Sequence, residues 1–144
     1  MILLDTSALV YAAGGDHPYR RPCRKIVDLI GDGTLSATTT PEVIQEFAHV
    51  LARRRPREQV LPVASDFAEL LAPLRCSDED HLADGLELWR RYETLGAFDA
   101  VLAAVALDSK YATLVSADQA FAQIPGLHHV LPDDSGIADL IGTG

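Results

Sequence analysis

Short apolar runs alternate with longer amphipathic stretches along this chain, and that alternation excludes most architectures. "ILLD" at residues 2–5 is an apolar run closed by a polar residue, the pattern of a short strand buried on both faces. Comparable runs recur as "LSATT" (35–39), "TLVS" (113–116) and "HHVL" (128–131), with "PLRCS" (73–77) as a short edge-strand candidate. Between them lie helical patterns. Thr6 or Ser7 caps a helix through Tyr11, and Pro18 to Ile30 reads as a helix stopped by Gly31 and Gly33. Thr40 as N-cap with Pro41 at the first helical position opens the next, which Pro56 ends; residues 57–72 read as helical again. Ser77 with Asp80 resembles a capping box for a helix to about Leu95, Phe98 to Ser109 is a nearly all-apolar helix, and "DQAFAQI" is a short one. Strands alternating with helices predict an α/β fold, a mainly parallel sheet of about five strands with helices on both faces.

No internal repeat, low-complexity tract or linker interrupts this pattern, so a single domain over residues 1–144 is expected. With 48% apolar residues the chain has the composition of a folded globule. No apolar stretch approaches the roughly 20 residues of a membrane-spanning helix. The start, "MILLDTSALVYAAGG", lacks a basic segment and carries Asp5 inside its apolar part, so it does not read as an export signal and the expected location is cytoplasmic. Cys23 and Cys76 stand apart, with no zinc-like spacing, and are expected as free thiols. His17, His49 and His81 are isolated, and the adjacent His128 and His129 would point to opposite faces of a strand, so none suggests a ligand cluster.

Four acids stand where strand-like runs give way to helix-like ones: Asp5, Glu46, Asp99 and Asp118. In an open parallel sheet, ligands bind beyond the carboxyl ends of the strands. Asp5 follows the first strand directly and Asp118 follows "LVS" by two residues. Either could serve as a helix cap, but Thr6 and Ser7 make capping by Asp5 redundant. Asp99 is the one charged residue between Phe98 and Leu107, and a carboxylate entering so apolar a helix must be capped, paired or metal-bound. On the helix from Pro41, the apolar arc is Val43, Ile44, Phe47, Val50 and Leu51. Glu46 lies about 100° from its centre, while Glu42, His49 and Arg53 lie roughly 120–160° away. Glu46 is therefore the acid nearest the buried boundary, and Glu42 is better explained as a dipole partner in the first turn. Four gathered carboxylates repel unless a cation lies between them, which points to a divalent-metal site.

The net charge of −9 argues against a nucleic-acid partner, but its distribution does not. Eight of the 12 basic residues fall between positions 20 and 57, against four acids in that window. Arg53, Arg54, Arg55 and Arg57 lie about two turns beyond Glu46, either as a solvated helix end or as contacts for a nucleic-acid backbone, RNA or DNA.

The phrases "LLDTSALVYA", "TTTPEVIQEFAHVL", "FDAVLAAVA" and "LVSADQAF", in that order and covering nearly the whole chain, resemble the PIN-domain ribonucleases, particularly the VapC-type toxins of toxin–antitoxin pairs. The resemblance implies a three-layer α/β/α PIN-like fold. It places the family's four acids on Asp5, Glu46, Asp99 and Asp118, with Asp5, Asp99 and Asp118 holding most of the metal. Thr6 and Ser116 match polar positions lining the family's site. Further implications are Mg²⁺ or Mn²⁺ as cofactor, RNA such as tRNA as substrate, a small antitoxin as partner and a homodimer. The last acid stands in "SAD" where a threonine form is commoner, which leaves the aspartate in place.

Two other classes fit less well. A haloacid-dehalogenase-like phosphotransferase wants a second Asp where Ser7 stands. A receiver domain wants paired acids near the first strand and a lysine after a late strand, whereas Lys110 precedes "LVS". A non-catalytic RNA-binding PIN module would have no need of four intact acids.

Overall fold

The computed structural model describes residues 1–108 and 113–143. Lys110 and the expected helix end at Ser109 lie outside them. Four strands, β1 (Ile2–Leu4), β2 (Ala37–Thr38), β3 (Thr113–Val115) and β4 (His128–Val130), form one sheet in the order β2-β1-β3-β4, parallel at every pairing. Ile2, Leu3 and Leu4 are all buried, so both faces of β1 are covered, as a parallel sheet requires. The helices are α1 (Thr6–Ala13), α2 (Arg20–Gly31), α3 (Pro41–Leu51), α4 (Arg57–Leu70), α5 (Glu79–Arg91), α6 (Ala97–Leu107) and α7 (Asp134–Thr143), with a 3-10 helix at Gln119–Gln123.

The sheet has four strands among the described residues, not five. The segment "PLRCS" does run beside the end of β2, where Arg75 N donates to Thr39 O at 2.9 Å and the Thr38 hydroxyl to Pro73 O at 2.9 Å. Pro73 has no N–H to donate, so these contacts do not extend into a ladder.

Helix starts follow local chemistry, with one shift of register. Thr40 caps α3 through Val43 N at 3.3 Å, as Thr-Pro predicts. The cap of α5 is Asp78 rather than Ser77: its carboxylate accepts from His81 N while His81 Nδ1 accepts from Asp78 N, both at 3.0 Å. With Nδ1 so engaged, Nε2 carries the proton and donates to Asp108 Oδ2 at 2.7 Å, tying the start of α5 to the end of α6. Ser77 turns instead to Glu42 Oε1 at 3.1 Å. This helix also stops at Arg91, short of Leu95.

Helix α6 is apolar on nearly every side, burying Ala100, Leu102, Ala103, Ala104, Val105 and Ala106. It packs on α5 at Gly85, where a Cβ would stand 2.6 Å from Val101 Cα. Leu82, Leu86 and Trp89 of α5 are exposed. Helix α7 follows β4, where no clear helical pattern is evident in the sequence. Asp133 accepts from Gly136 N at 2.7 Å, and Ile137 and Leu140 join the core. Glycines near both of its ends weaken the helical pattern in the sequence. Phe47 and Phe67 meet edge to face at 5.2 Å to close the core between α3 and α4. Cys23 is buried, which pushes its thiol up to about 12, and Cys76 is exposed; both are free. Among the described residues no helix is long and apolar enough to cross a membrane.

A candidate carboxylate centre at the switch point of the sheet

The order β2-β1-β3-β4 reverses direction between β1 and β3, since the chain leaves β1 toward β2 and returns to β1's other edge. A crevice forms beyond the carboxyl ends of strands at such a point. Asp5 follows β1 and its amide bonds Val115 O of β3 at 3.0 Å, so its side chain stands at that crevice.

Asp5 occupies the N-cap position of α1, but its carboxylate makes no capping hydrogen bond. Its Oδ2 instead accepts from the Ser116 hydroxyl at 2.6 Å and the Ser7 hydroxyl at 3.0 Å. Each serine is held in turn: Ser116 Oγ accepts from Asp118 N and Ser7 Oγ from Ala117 N, both at 3.0 Å. His129 Nε2 donates to Ser116 O at 2.8 Å with its ring against Phe121, fixing the end of β3 from behind. Ser7 is thus a residue that sequence reasoning missed, because it read as an alternative cap. Thr6 also lines the cleft, yet its hydroxyl is buried and makes no hydrogen bond among the described residues.

Four elements deliver the four acids to one cleft of about 670 Å³: Asp5 after β1, Glu46 from α3, Asp99 from the first turn of α6 and Asp118 after β3. The cap of α6 is Gly96, so Asp99 is not an N-cap. Asp118 does cap the 3-10 helix, accepting from Ala120 N at 2.9 Å, while its side chain borders the cleft. Glu42 lies elsewhere, beside a smaller apolar hollow with Leu82, Leu86 and Phe98. Arg53, Arg54 and Arg55 line the same cleft as the acids, and Arg57 begins α4 beyond it. Arg55 is partly committed to structure, donating to Ala13 O at 2.8 Å and so complementing the carbonyl end of α1.

The acids feel one another. Burial first, then the charges of Asp5, Asp118 and Glu46, push the Asp99 carboxyl up to about 7. Burial and then Asp5 raise Glu46, with His49 opposing. Burial raises Asp5 as well, opposed by the hydroxyls of Ser116 and Ser7 and, less, by the Thr6 and Ser7 amides, which face the carboxylate without forming a cap. A cation would relieve this repulsion, and an all-oxygen donor set suits a hard divalent ion such as Mg²⁺ or Mn²⁺. Among the described residues no three His, Cys, Asp or Glu side chains are already gathered as ligands around one point. Asp118 is exposed and Glu46 half-buried, so both carboxylates have room to turn inward. The residues present fit such an ion by charge and donor type.

Removing the Ser116 hydroxyl tests this arrangement. Ser116→Ala takes from Asp5 the hydrogen bond that most favours its ionised form and leaves Asp118 N without that acceptor. The Asp5 carboxyl should then ionise at higher pH. Any activity that needs Asp5 charged should fall about 10–100-fold near neutrality. The acid limb of its pH profile should also move upward; an unshifted limb would show that Ser116 does not tune Asp5.

Comparison with known proteins agrees with this architecture. The family model described as PIN domain matches residues 2–127. The chain is 47% identical to Ribonuclease VapC7 of Mycobacterium tuberculosis over 148 aligned residues, covering 99% of both chains. Its fold is similar to the crystal structure of M. tuberculosis VapC20, a sarcin–ricin loop cleaving toxin, with a TM-score of 0.71 at 16% identity, covering 85% of this chain and 93% of that one. It is similar also to VapBC2 from Rickettsia felis, bound to a DNA fragment from its promoter, with a TM-score of 0.71 at 20% identity, covering 91% and 98%. A parallel sheet with its acids at the switch point, a family model spanning most of the chain and an end-to-end relative lead to one conclusion: this chain belongs to the PIN-domain family.

Proposed function

We propose that the protein is a divalent-metal-dependent endoribonuclease of the VapC toxin type, hydrolysing RNA phosphodiester bonds in the four-carboxylate cleft. The observation that carries this reading is the convergence of Asp5, Glu46, Asp99 and Asp118 on one cleft whose rim bears Arg53 and Arg54. Near-full identity of length with a ribonuclease relative supports the same chemistry.

In this reading Asp5, Asp99 and Asp118 hold Mg²⁺ or Mn²⁺. Bound there, the ion would acidify a water and offset the charge that develops on the phosphoryl group during in-line displacement. Ser116 and Ser7 keep the Asp5 carboxylate aimed into the cleft. Glu46, raised by burial and by Asp5, orients the attacking water and accepts its proton. Arg53 and Arg54, both exposed, contact the RNA backbone at the rim, and Arg55 does so only with whatever its bond to Ala13 O leaves over. Structured RNA such as tRNA is the substrate class expected. A VapB-type antitoxin silences the toxin by covering the acidic cleft with basic side chains, and the active form is a homodimer.

The test is cleavage of defined RNAs by protein purified free of contaminating nuclease, with Mg²⁺, with Mn²⁺ and with chelator. Cleavage that needs a divalent ion and disappears in the Asp5→Asn protein supports the reading. Cleavage that persists in chelator, or none with either ion, would overturn it.

A further inference from the structure

The acidic cleft does not end at its carboxylates. Asp16 and His17 border it and also border a second open pocket of about 650 Å³, whose other lining includes Arg20, Arg21, Arg24 and Lys25 of α2. The two depressions therefore adjoin at Asp16 and His17. Asp16, Asp28 and Asp134 line the second pocket too, but among the described residues no ion pair joins any of them to these cations.

Two features of this surface bear on what it binds. Arg20 and Arg21 occupy the first turn of α2, which carries no acid, so positive charge sits at the positive end of a helix dipole. That placement is unfavourable until an anion arrives. Between the carboxylates and these cations stand three rings: His17 stacks on Tyr11 with centroids 4.2 Å apart, and Tyr19 meets both at 5.5 Å. His17 is exposed, and its Nδ1 accepts from Tyr19 N at 3.0 Å, which holds the ring in place. A fixed, exposed aromatic ring followed by unpaired cations is the arrangement that binds single-stranded nucleic acid, one by stacking a base and the other by receiving phosphates.

We infer that a single-stranded segment of RNA leaves the cleft over His17 and lays its phosphates in the pocket of Arg20, Arg21 and Lys25. This inference rests on the ribonuclease reading and adds to it the direction of the substrate and the residues that bind it away from the scissile bond. Arg24 is set apart because its Nε donates to Ala12 O at 3.0 Å and stabilises the end of α1.

The experiment compares wild type with Arg21→Glu/Lys25→Glu, whose side chains are exposed and make no hydrogen bond among the described residues. RNA oligonucleotides are truncated stepwise from either side of the cleavage point, and RNA binding is measured against salt in the Asp99→Asn background. KM for long RNA should rise at least about 5-fold in the double variant. The slope of log K against log salt should become shallower by about 1.4, at about 0.7 per lost single-strand phosphate contact. Truncation from one side alone should weaken wild type and leave the variant unaffected. His17→Ala should raise KM, and His17→Phe, which keeps a stacking face, should restore it.

Wild-type cleavage with KM, salt slope and truncation profile unchanged in the double variant would overturn this inference and leave the ribonuclease reading intact. No cleavage by wild type overturns both. Unchanged RNA binding with loss of a co-expressed antitoxin assigns the surface to the protein partner and overturns the inference as well.

Discussion

Asp99→Asn is expected to reduce RNA cleavage by at least about 10²-fold, as removal of one preorganised charged group from a reaction centre does, and at the same time to stabilise the metal-free protein above neutrality. The second effect follows from the position of Asp99. Burial and three neighbouring acids hold its carboxyl at about 7 in the folded chain, against 3.8 for an unperturbed aspartate. Between those values the unfolded chain has lost the proton and the folded one has kept it. The unfolded state therefore binds fewer protons, and stability falls as pH rises through this window. The contribution is fully present below about pH 4 and gone above about pH 7. At 1.36 kcal/mol per unit it would approach about 4 kcal/mol, and partial exposure reduces it to roughly 1–2 kcal/mol. Asparagine cannot ionise, so the variant lacks this slope. Urea midpoints in chelator at pH 5, 6.5 and 8 should show the gap between variant and wild type widening with pH. Added Mg²⁺ should then stabilise wild type more than the variant. Parallel pH profiles with and without Asp99 would mean that its charge is not the source of strain.

Gly85→Ala should be strongly destabilising for so small an exchange, because it falls where α5 meets the backbone and side chain of Val101 in α6. The added Cβ would meet Val101 at three atoms, including Cα at 2.6 Å and N at 2.9 Å, both backbone. Backbone cannot rotate away, so α5 must lift from α6, and overpacking of this kind costs about 1–3 kcal/mol or more. For a chain of this size that lowers Tm by roughly 2–4 °C per kcal/mol. Because α6 carries Asp99 in its first turn, RNA cleavage should fall beyond what the unfolded fraction accounts for. Gly31→Ala is the control: nothing stands within 4 Å of its Cβ position, and the change should be neutral or slightly stabilising. Equal melting of the two variants would refute a close helix contact at Gly85.

Much of this was visible before any coordinates. Four of the five strand runs, the Thr40–Pro41 start and the beginning of the apolar helix around Ala103 all express local rules, and each lies within a residue or two of its expected place. The choice of Glu46 over Glu42 needed only helical geometry, and the structure puts Glu46 in the cleft and Glu42 against Ser77. Misreadings came where two residues offer the same local chemistry. Ser77 and Asp78 can each cap a helix, and only the buried imidazole of His81, bonded at both nitrogens, selects Asp78. Asp5, Thr6 and Ser7 can each cap α1; the nearness of Ser116 draws the carboxylate and the Ser7 hydroxyl together and leaves the Thr6 hydroxyl without a hydrogen bond among the described residues.

The sequence by itself determined the fold class, the family pattern and that Asp5, Asp99 and Asp118 stand at element ends, with Glu46 in mid-helix instead, because periodicity, caps and spacing act over a few residues. Tertiary structure alone decided that β1 lies between β2 and β3, so that acids from positions 5, 46, 99 and 118 share one cleft. It also decided that Ser7 and Ser116, 109 residues apart, hold the same oxygen of Asp5, and that His17 joins the cleft to the cations of α2. The physical reason is that these relations depend on strand order and on burial, which set distance and dielectric between groups far apart in the chain, and neither is written in any local stretch of residues.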